Sequence, residues 1–179
     1  MQRVEFKVRK WMILSFILYF ISFILSVPFH NMINIGLNGN NFSFTSLFLH
    51  NMYVSLKLFL FGMLTLGIGN SLYLFYNGFF LGLTFFSILT HLGLKPILTG
   101  LLPHALFEIP GFIIFSSLGY SSWFLISKIK KNALEDENKN FQLEALIKAN
   151  LKSFILSFIV ATFLLLIAAV IESNFSYTH

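Results

Sequence analysis

The sequence predicts an all-α fold, a polytopic bundle of about five transmembrane helices with one further re-entrant or interfacial segment. Three observations predict it. Hydrophobic residues fill 56% of the 179 positions and charged residues only 11%, with 24 phenylalanines, a balance that excludes a water-soluble domain. The apolar residues fall into runs of about 20, long enough to cross a hydrocarbon core of about 30 Å. The cations are clustered: of 12 Lys and Arg, four precede the first run (Arg3, Lys7, Arg9, Lys10) and six lie between Lys128 and Lys152.

The elements follow in chain order. Residues 1–10 form a basic N-terminus, and the first span runs from Trp11 to Val27, stopped by Pro28. Ser26-Val27-Pro28 makes a poor cleavage site, so this span reads as an uncleaved anchor. The second runs from Met52 to about Ile68, the third from about Asn70 to Leu89, and the fourth from about His104 to Ile126. Together these make a four-span membrane core over residues 11–127. The stretch from His91 to Pro103 is apolar but broken by Pro96 and by Gly93 and Gly100, which suits a re-entrant or interfacial segment supported by the surrounding protein, with a sixth short helix as the alternative. Residues 128–150 form a hydrophilic connector, in which Phe141, Leu143, Leu146 and Ile147 recur at roughly helical spacing. Residues 151–179 contain the fifth span, from about Leu151 to Ile171, and a short C-terminus.

Four crossings between the two basic regions return the chain to one side, and the positive-inside rule makes that side the cytoplasm. The N-terminus is then cytoplasmic, with the loop from Pro28 to Asn51, the region from His91 to Pro103 and the C-terminus outside. A net charge of +5 flanking apolar spans finds its counter-ions among anionic headgroups, so nucleic acid is not an expected partner. With no cysteines, disulfides, thiolate nucleophiles and Cys-containing metal sites are excluded.

The chemistry concentrates in Leu102-Pro103-His104-Ala105-Leu106-Phe107-Glu108-Ile109-Pro110-Gly111. A carboxylate at the bilayer centre costs about 2.5 to 3.5 kcal/mol on insertion scales, which makes Glu108 a candidate functional residue. His104 and Glu108 share a helical face at i and i+4 if the helix begins near Pro103, a residue tolerated in a first turn. Pro110 removes a hydrogen-bond donor beside them. Three readings stay open. The pair is hydrogen-bonded within the bundle; or it ligates a divalent metal such as zinc, with His50, Asn51 or His91 as a further ligand; or it works as acid and base, with Glu108 the base, His104 a second proton carrier and Asn77 a supporting donor. No His-Glu-x-x-His or Gly-x-Ser-x-Gly pattern is present, and Gly67-Ile68-Gly69-Asn70-Ser71-Leu72 lacks the third glycine of a dinucleotide loop.

Asn70 and Asn77 lie on nearly one face of the third span and are expected to hydrogen-bond across helices. Gly78 with Gly82, and Gly62 with Gly69, are small residues that admit a neighbouring backbone; at Gly78 and Gly82 this would bring Asn77 against the fourth span. Lys57, inside the second span, is expected to reach the outer interface, with pairing to Glu108 as the alternative.

Asn51, the Gly62 to Gly69 region, Tyr76-Asn77-Gly78 with Gly82 and, above all, the Pro103-His104 to Glu108 motif resemble the stage II sporulation protein M family. Where that family usually has Gly after the histidine, this chain has Ala105. The resemblance implies an all-helical bacterial membrane protein. The namesake anchors peptidoglycan hydrolases during engulfment in sporulating cells, and other members are encoded with circular bacteriocins and assigned to peptide maturation, export or immunity. The expected function is thus a partner-binding component of a membrane complex. Its expected partners are the lipid bilayer, other membrane proteins or a hydrophobic peptide, and a second copy of itself. The alternatives are an intramembrane metal-dependent peptide-maturing enzyme using His104 and Glu108, and a transport or proton-coupled subunit.

Overall fold

The computed structural model describes residues 8–32, 43–135 and 140–175, and the side chains of 9–32, 43–127 and 150–174. Among these there is no strand. The helices are α1 (Val8–Leu25), α2 (Phe44–Leu64), α3 (Ile68–His91), the single turn α4 (Leu94–Pro96), α5 (Leu102–Glu135) and α6 (Asn140–Phe175), with a 3-10 turn at Val27–Met32. Four helical stretches are long and apolar enough to cross a membrane: Phe44–Leu64, Ile68–His91, Leu94–Ser127 and Asn150–Asn174. The 18-residue α1, expected as a span of its own, packs along the same bundle but is not among those four.

Local chemistry explains the boundaries. Ser43 caps α2 by accepting the Ser46 N–H at 3.2 Å, so the helix starts eight residues before the expected Met52 and ends earlier, at Leu64. It stops where Leu66 and Gly67 adopt φ of 60° and 83°, left-handed conformations that turn the chain back into α3. Glycine is required at Gly67 on a second count, since a Cβ there would lie 2.7 Å from the Tyr120 ring. Gly67 N–H closes the turn on Gly62 O at 3.1 Å.

The segment from His91 to Pro103 is helical over most of its length, as the alternative of a short helix expects. It is a helical lead into α5, in which α4 passes through a π turn at Ile97–Leu101. A proline ring clashes with the carbonyl four residues before it. Widening the turn ahead of Pro103 relieves that clash, so the helix need not start there. Ile97 and Leu101 bury against Ile88 of α3, anchoring the lead. At the other end α5 continues to Glu135 and α6 begins at Asn140, making most of the connector helical; the side chains of its apolar repeat lie outside the described residues.

Directions follow from the contacts. α5 runs antiparallel to α1, because Trp11 stacks on Tyr120 at 5.2 Å, Ser15 meets Ser116 at 2.9 Å, and Phe20 and Phe23 line one groove with Ala105 and Ile109. It also runs antiparallel to α3 and α6. Consequently α1 and α3 are parallel, as are α2 and α5. Both parallel pairs are sealed by small residues. Backbones of α2 and α5 touch at Gly62 and Gly119, where a Cβ on Gly62 would lie 2.7 Å from the Gly119 Cα. Gly78 and Gly82 of α3 receive Ser22 and Ser26 of α1. The expectation that these two glycines face the fourth span is therefore corrected: α1 takes that surface. Leu58, Leu74, Phe115, Leu118 and Leu165 form the fully buried centre, with Phe115 edge-on to Phe158 at 5.1 Å.

Candidate functional site

The π turn that accommodates Pro103 also sets up His104. Its Nδ1 lies 2.8 Å from Gly100 O, and since a carbonyl only accepts, Nδ1 carries the hydrogen. In the neutral ring Nε2 is then left with a lone pair, the form in which imidazole serves as base or ligand. Glu108 stands one turn along α5, half-buried. No hydrogen bond or ion pair joins the two among the described residues. They share a helix face, as the spacing predicts, but the imidazole turns back to its own backbone.

Glu108 has a carboxylate neighbour that the sequence reading missed. Glu172 of α6 lies within electrostatic range of it, as does the phenol of Tyr19 on α1. The geometry explains why: Gly111 packs against Leu165 and Ala161, so about two turns in opposite directions bring Glu172 level with His104. Glu108 is thus not the only carboxylate at this end of the bundle. The signal lay in the span boundary, drawn at Ile171, one residue short.

The other candidates do not converge on this pair. Asn77 donates to Tyr73 O in its own helix at 2.7 Å. His91 donates to Ser87 O at 2.9 Å, and His50 is exposed near the start of α2. Asn51 is 4% exposed, and its Nδ2 has no partner. Among the described residues no three His, Cys, Asp or Glu side chains come together to hold a metal, so the residues present do not fit the expected divalent ion.

Two further expectations change. Asn70 alone of the α3 asparagines crosses to another helix, its Nδ2 donating to Ser116 O at 2.9 Å while fully buried. Lys57 does not pair with Glu108; its Nζ lies over the Tyr53 ring at 4.1 Å, one turn toward the start of α2, and faces the Tyr73 ring at 5.6 Å.

Beside the His104 turn, Phe16, Phe20, Phe23, Phe85, Leu102 and Ile109 contribute to an apolar groove of about 180 Å³ that opens sideways between α1, α3 and α5. Long apolar helices around a small polar interior define a multi-pass α-helical membrane protein. The chain belongs to the stage II sporulation protein M family, whose model matches residues 11–177. It is also similar to an uncharacterized protein of Methanocaldococcus jannaschii, 34% identical over 126 residues that make up 67% of each chain. No solved structure matches it.

Proposed function

We propose that this protein is a non-catalytic, partner-binding component of a membrane complex of the sporulation-engulfment or peptide-export type, oriented with its N-terminus in the cytoplasm. One observation carries this reading. The polar side chains that an intramembrane enzyme would need to bring together do not converge: Asn77 and His91 bond to carbonyls of their own helix, and His104 turns its Nδ1 to Gly100 O and not to Glu108. Catalysis requires such groups to converge within hydrogen-bond reach of one reacting atom. Binding through apolar helix faces has no such requirement.

The test is the native mass of the chain extracted from its own membranes in mild detergent. The expected result is a complex well above one 20.5 kDa chain with its detergent, formed equally by the His104→Ala and Glu108→Gln variants. A chain that migrates as a monomer in every preparation overturns the reading.

One observation favours a second reading, acid–base or proton-transfer work: the tautomer at His104 leaves Nε2 open, with two carboxylates near. Its test is Glu108→Gln, which keeps the shape and one acceptor oxygen but removes ionisation. Full function of that variant in the host eliminates the second reading.

A further inference from the structure

We propose that Lys57 marks a docking face on α2 and α3 for a transmembrane helix of another protein that carries a carboxylate near the bilayer centre. The proposal rests on the partner-binding reading above and names the chemistry of the partner.

Position along the helix is the first observation, and it sets the depth if α2 spans the bilayer end to end. Lys57 sits about two turns before the C-terminal end of the 21-residue α2, roughly 10 Å from that end at 1.5 Å per residue. A lysine there would ordinarily lay its stem along the helix and lift its ammonium to the nearer interface. It does the reverse. The side chain follows the tilt of helical side chains toward the N-terminus and sets Nζ over the Tyr53 ring one turn back, at the middle of α2. Tyr73 of α3 approaches from the other side. The charge is held at mid-depth by two aromatic faces, an arrangement that favours a cation without neutralising it.

The second observation is charge complementarity. Among the described residues no carboxylate lies within ion-pair distance of Lys57, and the groups that act on it are the two tyrosines. Glu108 and Glu172 belong to the α5–α6 side of the bundle. Meanwhile the surface around Lys57 is open: Tyr53, Leu56 and Leu60 of α2 and Tyr76 of α3 are all exposed. Polar and ionisable residues at membrane depth pair with one another or face a cavity. An exposed apolar face with one mid-depth cation and no acid of its own complements an apolar helix with one mid-depth acid. A second copy of this chain is a poorer complement, because its two span acids lie on the other side of the bundle.

The experiment uses the full chain in phosphatidylcholine vesicles, with labelled oligoleucine helices of about 20 residues as probes and energy transfer as the readout. One probe carries a central Glu, one a central Gln, and one a Glu near its end. The central-Glu helix is expected to associate about tenfold more tightly than the other two, the range of interhelical polar contacts in membranes. That advantage is expected to vanish in Lys57→Met, survive in Lys57→Arg, and transfer to a central-Lys helix in Lys57→Glu. Lys57→Met keeps the unbranched stem without Nζ and removes a charge from lipid, which favours insertion of the helix. Equal binding of all probes, or central-Glu binding undiminished by Lys57→Met, overturns the proposal while leaving the native-mass test of the partner-binding reading untouched. Lys57-dependent association of two labelled copies of the chain would assign the face to a dimer and overturn it as well.

Discussion

Asn70 and Asn77 were indistinguishable as sequence, two asparagines seven positions apart on one stripe of α3, and the fold treats them differently. Asn70 lies opposite the Ser116 carbonyl of α5 and donates to it across the interface; Asn77 lies where glycines admit α1 and folds its amide back on Tyr73. Periodicity identifies a face but not which neighbour covers it at each level. Asn70→Ala is expected to destabilise the bundle by about 1 kcal/mol, the scale of interhelical hydrogen bonds in membranes, seen as a lower denaturation midpoint in detergent. Asn77→Ala, which breaks only a bond within one helix, should shift that midpoint by no more than a few tenths of a kcal/mol. The same limit applied at His104. Its spacing from Glu108 was legible, but the acceptor that captures its Nδ1 was not, because Gly100 O is placed by a π turn that hydropathy does not encode.

At the scale of the elements, composition and run length carried most of the information. Every expected span from the second to the fifth exists as a helix, because about 20 apolar residues in a bilayer have few other ways to satisfy their backbone. Boundaries were less legible. The Ser43 cap moved the start of α2 outward, and the helix from Leu94 runs through Pro96, which reads as a break, and Pro103, which reads as a helix start. Glycine contacts were visible as small residues, yet their partners emerge only from the packing. Gly62 and Gly93 make the contrast testable. At Gly62 a Cβ would fall 2.7 Å from the Gly119 backbone, which has no side chain to move aside; Gly93 has nothing within 4 Å but a φ of 82°. Gly62→Ala is expected to cost about 1 to 3 kcal/mol by overpacking and to loosen α2 from α5, read as faster proteolysis. Gly93→Ala should cost about 1 to 3 kcal/mol from backbone strain alone, since φ 82° with ψ −169° is a region glycine alone adopts readily, with the α2–α5 contact intact.

For the whole molecule, the alternation of helix directions ties topology to charge. α1 and α3 run one way and α2 and α5 the other, so the start of α1, the α2–α3 turn and the end of α5 share one side of the bundle. That side gathers Arg9 and Lys10 at the start of α1 together with the basic residues that follow Ile126, the asymmetry the positive-inside rule assigns to the cytoplasm. The opposite end holds His50, His91 and Lys95, all exposed. Since the chain has no cysteine, single replacements report this without background. Arg9→Cys is expected to resist a membrane-impermeant maleimide in intact cells and to react once the membrane is opened. Lys95→Cys should react in both cases, because Lys95 is an exposed residue of α4, at the end of the bundle opposite Arg9. Phe115→Cys, at a fully buried position, serves as the unreactive control. Reversal of the first two would invert the protein in the bilayer and place His104, Glu108 and Glu172 at its cytoplasmic end. Labelling of both in intact cells would mean that the two ends share a side, which an odd number of crossings between them forbids.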